Sequence, residues 1–125
     1  MKLSRTTIII FRITLAVSLL LITFLATMEL ELPEMTSIDD KLGHVLAFLC
    51  LAFLVDYSFP ASRFNLLKIL LLLLYGIVIE LIQYFIPHRM FSLADLFADG
   101  VGIVIYAAFF QILKYVPLFK LRWTE

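Results

Sequence analysis

The stretch Glu80–Gly100, ELIQYFIPHRMFSLADLFADG, decides how this chain is read. It lies between two apolar runs. The run before it, FNLLKILLLLLYGIVIE, carries one lysine near its start; the run after it, VGIVIYAAFFQIL, has no charge. Between them stand Glu80, Gln83, His88, Arg89, Asp95 and Asp99. Pro87 and its polar neighbours mark a turn. The two runs are therefore the arms of a helical hairpin, with Glu80, Asp95 and Asp99 inside its apolar ends.

Composition names the solvent. The chain is 63% hydrophobic and 16% charged, with mean hydropathy +1.06. Soluble domains hold roughly 45–50% apolar and about 25% charged residues. This is the composition of a membrane protein, and 125 residues suit one domain. The net charge is zero, and no basic patch suggests a nucleic-acid partner. The single Cys50 cannot close an internal disulfide; among Phe48, Leu49 and Leu51 it reads as a small packing residue.

A span needs roughly 20 mostly apolar residues to cross a core about 30 Å thick. Four segments qualify: Ile8–Met28, Ile38–Tyr57, Phe64–Ile86 and Leu93–Val116. The second is the weakest, because its uncharged part runs only from Leu42 to Val55. Charge placement supports it. With four spans, one side carries Lys2, Arg5, Arg12, Arg63, Lys68, Lys114, Lys120 and Arg122, and the other only Lys41 and Arg89. By the positive-inside rule both termini are cytoplasmic. The expected fold is an all-α, four-transmembrane-helix bundle in the cytoplasmic membrane. The first span has the basic start of a signal peptide, but Ala26-Thr-Met-Glu-Leu30 lacks a small-x-small cleavage site, so it is expected to stay.

The polar residues sort to one end. Asp40, Lys41 and His44 open the second span, Glu80 and Gln83 lie in the outer third of the third, His88 and Arg89 occupy the outer loop, and Asp95 and Asp99 open the fourth. Residues three or four apart share a helix side, so Asp40 with His44, Glu80 with Gln83, and Asp95 with Asp99 form three pairs able to face one another. The pairs at 40/44 and 95/99 also give the two hairpins a faint symmetry. Simpler roles fit several positions. Ser37-Ile-Asp-Asp40 and Ser92-Leu-Ala-Asp95 match a capping box, and acids suit helix N-termini. Lys41 can snorkel to the interface, as can Arg12. Glu80, Asp99 and His44 resist such readings: Glu80 lies roughly 9 Å below Ile86 at 1.5 Å per residue. An ionised group at the bilayer centre costs about 2.5–3.5 kcal/mol on insertion scales. Arg89 is the expected partner of Glu80 or Asp99. Ala94, Ala98 and Gly102 form a small-residue stripe suited to close helix contact, with Gly43 and Gly76 as further close-approach positions. Asp56 is expected to pair with Arg63 or to sit at the interface, and Trp123 to anchor there.

Asp40-Lys41-x-x-His44, Glu80-x-x-Gln83, and then Arg89, Ser92 and Asp95 in order resemble the VanZ-like family of small bacterial membrane proteins, over about residues 38–108. The family is named for a protein associated with teicoplanin resistance. The resemblance implies that Asp40, Lys41, His44, Glu80, Gln83, Arg89 and Asp95 are the motif positions. One departure stands out: the family commonly shows Asn where this chain has Asp99, ahead of Gly100 and Gly102.

Three functional readings follow. In the first, the outward end binds or processes an anionic envelope molecule, a lipid headgroup or lipid-linked precursor. Helix N-termini with Lys41, His44 and Arg89 would receive it, while Glu80, Asp95 and Asp99 orient those cations or bind hydroxyls. In the second, His44 and Glu80 act as an intramembrane acid–base pair; a metal variant would use His44, Glu80, Asp95 or Asp99, but their spacing is not diagnostic, so no metal or cofactor is assigned. In the third, the chain is a non-catalytic subunit or assembly factor whose polar cluster is structural. A transport pathway needs more than four short helices; a homo-oligomer would supply them.

Overall fold

The computed structural model describes residues 3–28, 37–86, 93–109, 112 and 115–117, and of residues 37–40 the backbone alone. Four helices follow in order: α1 (Arg5–Thr27), α2 (Ser37–Ser58), α3 (Leu66–Tyr84) and α4 (Leu93–Phe109). There is no strand among the described residues. Three helices, Arg5–Thr27, Lys41–Ser58 and Leu66–Tyr84, are long and apolar enough to cross a membrane.

Two caps absent from the sequence reading start their helices. Ser4 Oγ accepts from Thr7 N at 3.1 Å at the head of α1, and Asn65 Oδ1 accepts from Lys68 N at 3.1 Å at the head of α3. Each satisfies an amide that the first helical turn leaves without an intrahelical partner. At the other end of the chain, α4 stops at Phe109, short of the expected Val116. Ile112 and Tyr115 lie in 3₁₀ turns instead. Val116 precedes Pro117, whose ring disfavours the α region for the residue before it.

α2 is the central element. It packs most extensively on α4 and also contacts α1 and α3. The α2–α4 approach is close because of Gly102: a Cβ there would collide with the Val45 carbonyl oxygen and lie 3.0 Å from Leu49 N. Ala98 and Gly102 are buried as the stripe predicted, whereas Ala94 is exposed. Gly43 has nothing within 4 Å of a built Cβ, so it is not a close-approach position. The core between the helices holds Phe48, Leu51, Ala52, Leu72, Ile103 and Tyr106. α1 is peripheral, with no buried residue. It is tied on by Phe11 against Phe53 and Tyr57, and by Tyr75 of α3, whose hydroxyl donates to the Leu19 carbonyl at 3.0 Å and lies 2.7 Å from Thr23 Oγ1. Leu20, Phe24, Leu70, Leu74, Phe97 and Val104 point outward and exposed, as they must where the surrounding medium is hydrocarbon.

Two further expectations about packing are corrected. Cys50 is exposed rather than packed, because the buried face of α2 runs through Phe48, Leu51 and Ala52. Asp56 neither pairs with Arg63 nor sits at a surface. It is 1% exposed and bonds Lys68 Nζ at 3.1 Å. Lys68 Nζ also donates to the carbonyls of Phe59 and Ser62 at 3.0 and 2.9 Å, and Tyr106 Oη donates to the second Asp56 oxygen at 2.6 Å. Arg12, about two turns into α1, donates to the Ser58 carbonyl at 2.9 Å and lies over the Phe59 ring. Arg63 is exposed, and Trp123 lies outside the described residues.

Breaking a buried ion pair by removing one partner costs about 3–5 kcal/mol, because the other charge is left in low dielectric. Lys68→Ala or Asp56→Ala is therefore expected to lower the unfolding free energy in detergent by about that amount, whereas Arg63→Ala should change it by less than about 0.5 kcal/mol. Equal effects at positions 63 and 68 would refute the pairing. In the same assay Gly102→Ala should lower the melting temperature, since backbone cannot yield to the new methyl, while Gly43→Ala should not.

Candidate functional site

Besides the Asp56–Lys68–Tyr106 cluster, a second polar layer lies at the end of the bundle where α2 and α4 begin and α3 ends. Lys41 and His44 come from the first turns of α2, Glu80 from the last turns of α3, and Asp95 and Asp99 from the start of α4. Glu80 is 0%, Asp99 1% and Asp95 7% exposed, which places three carboxyl groups inside an apolar bundle. Groups so placed persist when they meet partners. Lys41 Nζ donates to Asp95 Oδ1 at 3.0 Å. His44 Nδ1 lies 2.7 Å from Asp99 Oδ1, and His44 Nε2 lies 3.7 Å from Asp95 Oδ2. One oxygen of Glu80, one of Asp95 and one ring nitrogen of His44 all lie within 4.8 Å of one another. Three helices thus converge on one point through side chains.

Local sequence explains the convergence. On α3, Gly76, Glu80 and Gln83 are all buried and follow the four- and three-residue spacing of one helix face. Gly76 makes the room: a Cβ there would sit 2.7 Å from Asp99 Oδ2 and 3.3 Å from Phe48 Cζ. The carboxylate of α4 therefore lies against the bare backbone of α3 while its other oxygen meets His44. Gly76 was visible in the sequence as a close-approach position, but its service to Asp99 was not.

Of the predicted site residues, Lys41, His44, Glu80, Asp95 and Asp99 are brought together. Gln83 turns the other way in its contact: its Nε2 donates to the Ala26 carbonyl at 3.0 Å, so it joins α3 to the end of α1. Asp95, which fits a cap by spacing, also makes the tertiary bond to Lys41. The side chain of Asp40, and His88, Arg89 and Ser92, lie outside the described residues.

The VanZ/LLP1 family model matches residues 3–114. The chain belongs to the VanZ-like family. The match reaches well beyond residues 38–108 that carry the motifs and takes in α1, in keeping with the side-chain bonds from Tyr75 and Gln83 to that helix. Comparison with curated proteins and with solved structures finds no match.

Side chains in one polar network couple energetically, typically by 0.5–3 kcal/mol in a double-mutant cycle. A cycle of His44→Ala and Asp99→Ala, read from unfolding in detergent, should give a coupling in that range. A coupling near zero would show that the two groups do not interact in the folded protein.

Proposed function

We propose that this VanZ-like protein spans the bacterial cytoplasmic membrane four times, with both termini cytoplasmic, and that its polar layer faces outward to bind or process an anionic cell-envelope molecule. The ligand class is a lipid headgroup or a lipid-linked precursor. α4 is 17 residues long, about 25 Å at 1.5 Å per residue, which approaches the hydrocarbon thickness.

The observation that carries the reading is the convergence of Lys41, His44, Glu80, Asp95 and Asp99 from three helices at one end of the bundle. Lys41 is held by Asp95, yet 39% of its side-chain surface stays exposed, so its ammonium remains within reach of an arriving anion. α2 and α4 both begin at this end, and helix N-termini favour negative charge through their dipoles and amides. Arg89 enters by its place in the sequence, between the ends of α3 and α4, as a second cation. Glu80 and His44 are the groups suited to move a proton.

A lipid is supported by a second feature. An apolar cavity of about 140 Å³ runs between α3 and α4, lined by Ile69, Leu73, Gly100, Ile103, Val104 and Ala107. Its lining starts at Gly100, next in the chain to Asp99, and continues away from this polar layer to Ile69 and Ala107, next in the chain to Lys68 and Tyr106. A molecule with its headgroup at the layer and a chain along this groove matches both surfaces.

Wild type, Glu80→Gln and Arg89→Ala, purified in mild detergent, test the reading through thermal stability and the lipids that co-purify. Both variants should stay folded and lose a phosphate-bearing lipid that wild type retains. If both variants unfold and no lipid is specific to wild type, the layer serves structure and the chain acts as a subunit or assembly factor.

A further inference from the structure

We propose that His44, Glu80 and Asp95 form a binding site for a divalent transition-metal cation, with Asp99 as the residue that orients the histidine. The inference rests on the reading of the polar layer as a ligand site, and gives that site its electrophile: a bound cation would join an acid-lined layer to an anionic headgroup.

Orientation is the first argument. An ionised carboxylate only accepts hydrogen bonds, so with Asp99 ionised the 2.7 Å contact between His44 Nδ1 and Asp99 Oδ1 makes Nδ1 the donor. In the neutral ring, Nε2 then presents its lone pair. That lone pair faces Asp95 Oδ2 at 3.7 Å, longer than an N–H···O hydrogen bond. A carboxylate holding the far nitrogen of a metal-binding imidazole is the arrangement that fixes ring orientation and raises ligand basicity.

Convergence is the second. One nitrogen and two carboxylate oxygens, each from a different helix, already lie within 4.8 Å of one another. Around a tetrahedral Zn²⁺ with bonds of about 2.0–2.2 Å, ligand atoms stand about 3.4 Å apart. Rotamer adjustment of little more than an ångström closes the set. The donors are also buried: Glu80 and Asp95 are 0% and 7% exposed, unlike the surface acids that gather without a cation. Among the described residues the layer holds three carboxyl groups against one ammonium and one imidazole. A dipositive ion offsets that excess where the dielectric is low.

Donor type selects the ion. One imidazole with two carboxylates suits Zn²⁺ or Mn²⁺. Ca²⁺ takes six to eight oxygen ligands in a roomier site, and the close helix contacts here do not offer one.

Chelator-treated full-length protein in detergent should be titrated calorimetrically with Zn²⁺ and with Mn²⁺, and its melting temperature followed. Wild type should bind one ion per chain and melt higher with it. Glu80→Gln and His44→Ala should lose this binding. Asp99→Asn should weaken it about 10–100-fold, the usual effect of removing an orienting carboxylate. Arg63→Ala, far from the layer, should bind as wild type does. Glu80→Gln conserves shape and guards against a folding defect in His44→Ala. No binding by wild type, or unchanged binding by a folded Glu80→Gln protein, overturns the site. The lipid measurement separates this from the broader reading. A phosphate-bearing lipid retained by wild type that binds no cation would overturn the metal site alone. A cation bound through these residues with no wild-type-specific lipid would uphold the site and overturn the lipid reading.

Discussion

A polar group in hydrocarbon has no water to turn to, so each one in this bundle must find protein. That requirement sets the register of three helices. Twelve residues separate His44 from Asp56 on α2, twelve separate Lys68 from Glu80 on α3, and eleven separate Asp95 from Tyr106 on α4. At 1.5 Å per residue these intervals are all roughly 17–18 Å. Because α3 runs against α2 and α4, the matched intervals bring the polar groups together in two layers. The space between is filled by Phe48, Leu51, Leu72 and Ile103. Sliding one helix by a turn would take both layers apart at once, and Gly102 against the Val45 carbonyl resists such sliding on the α2–α4 side.

The two layers are built differently. In the Asp56 layer the ion pair is fully engaged: Lys68 directs its ammonium at one carboxylate and two carbonyls, and Tyr106 covers the remaining oxygen of Asp56. Lys68 and Asp56 are both buried. This is a lock, with no surface left over for a ligand. In the His44 layer the carboxyl groups outnumber the cations among the described residues, and Lys41 is partly exposed. Burial of three acids, Glu80 from α3 and Asp95 and Asp99 from α4, is costly, and a lock of the first kind would have secured the helix ends with fewer of them. The difference between the layers is the reason to place function at one end and stability at the other.

Hydropathy made the helices legible, since apolar runs of this length have few alternatives. The His44 layer was legible too, because residues spaced by three or four had to share a face. Partners were less so. The sequence pairs Asp56 with the nearer Arg63, but the Asn65 cap starts α3 so that Lys68 enters the α2 face while Arg63 remains in the exposed connection. Lys68 counts toward the basic side of the membrane, yet it is a buried partner rather than an interfacial charge. The His44–Asp99 contact joins positions 55 apart, and no spacing rule reaches across helices. Gln83 shares a face with Glu80, but its amide, which can donate where a carboxylate only accepts, bonds the Ala26 carbonyl.

Asp99 shows how one departure changes the chemistry of a shared scaffold. The family commonly carries Asn at this position, and an amide can offer either its oxygen or its nitrogen to a histidine. Both orientations of the ring are then compatible with a hydrogen bond. An ionised carboxylate offers acceptors only, so an ionised Asp99 commits Nδ1 of His44 to donating and leaves Nε2 on the side of Asp95. Gly76 is the condition for this, because the second oxygen of Asp99 occupies the volume that a side chain on α3 would need. The acid and the glycine therefore act together: one fixes which nitrogen faces the neighbouring acids, and the other lets the acid come close enough to do so.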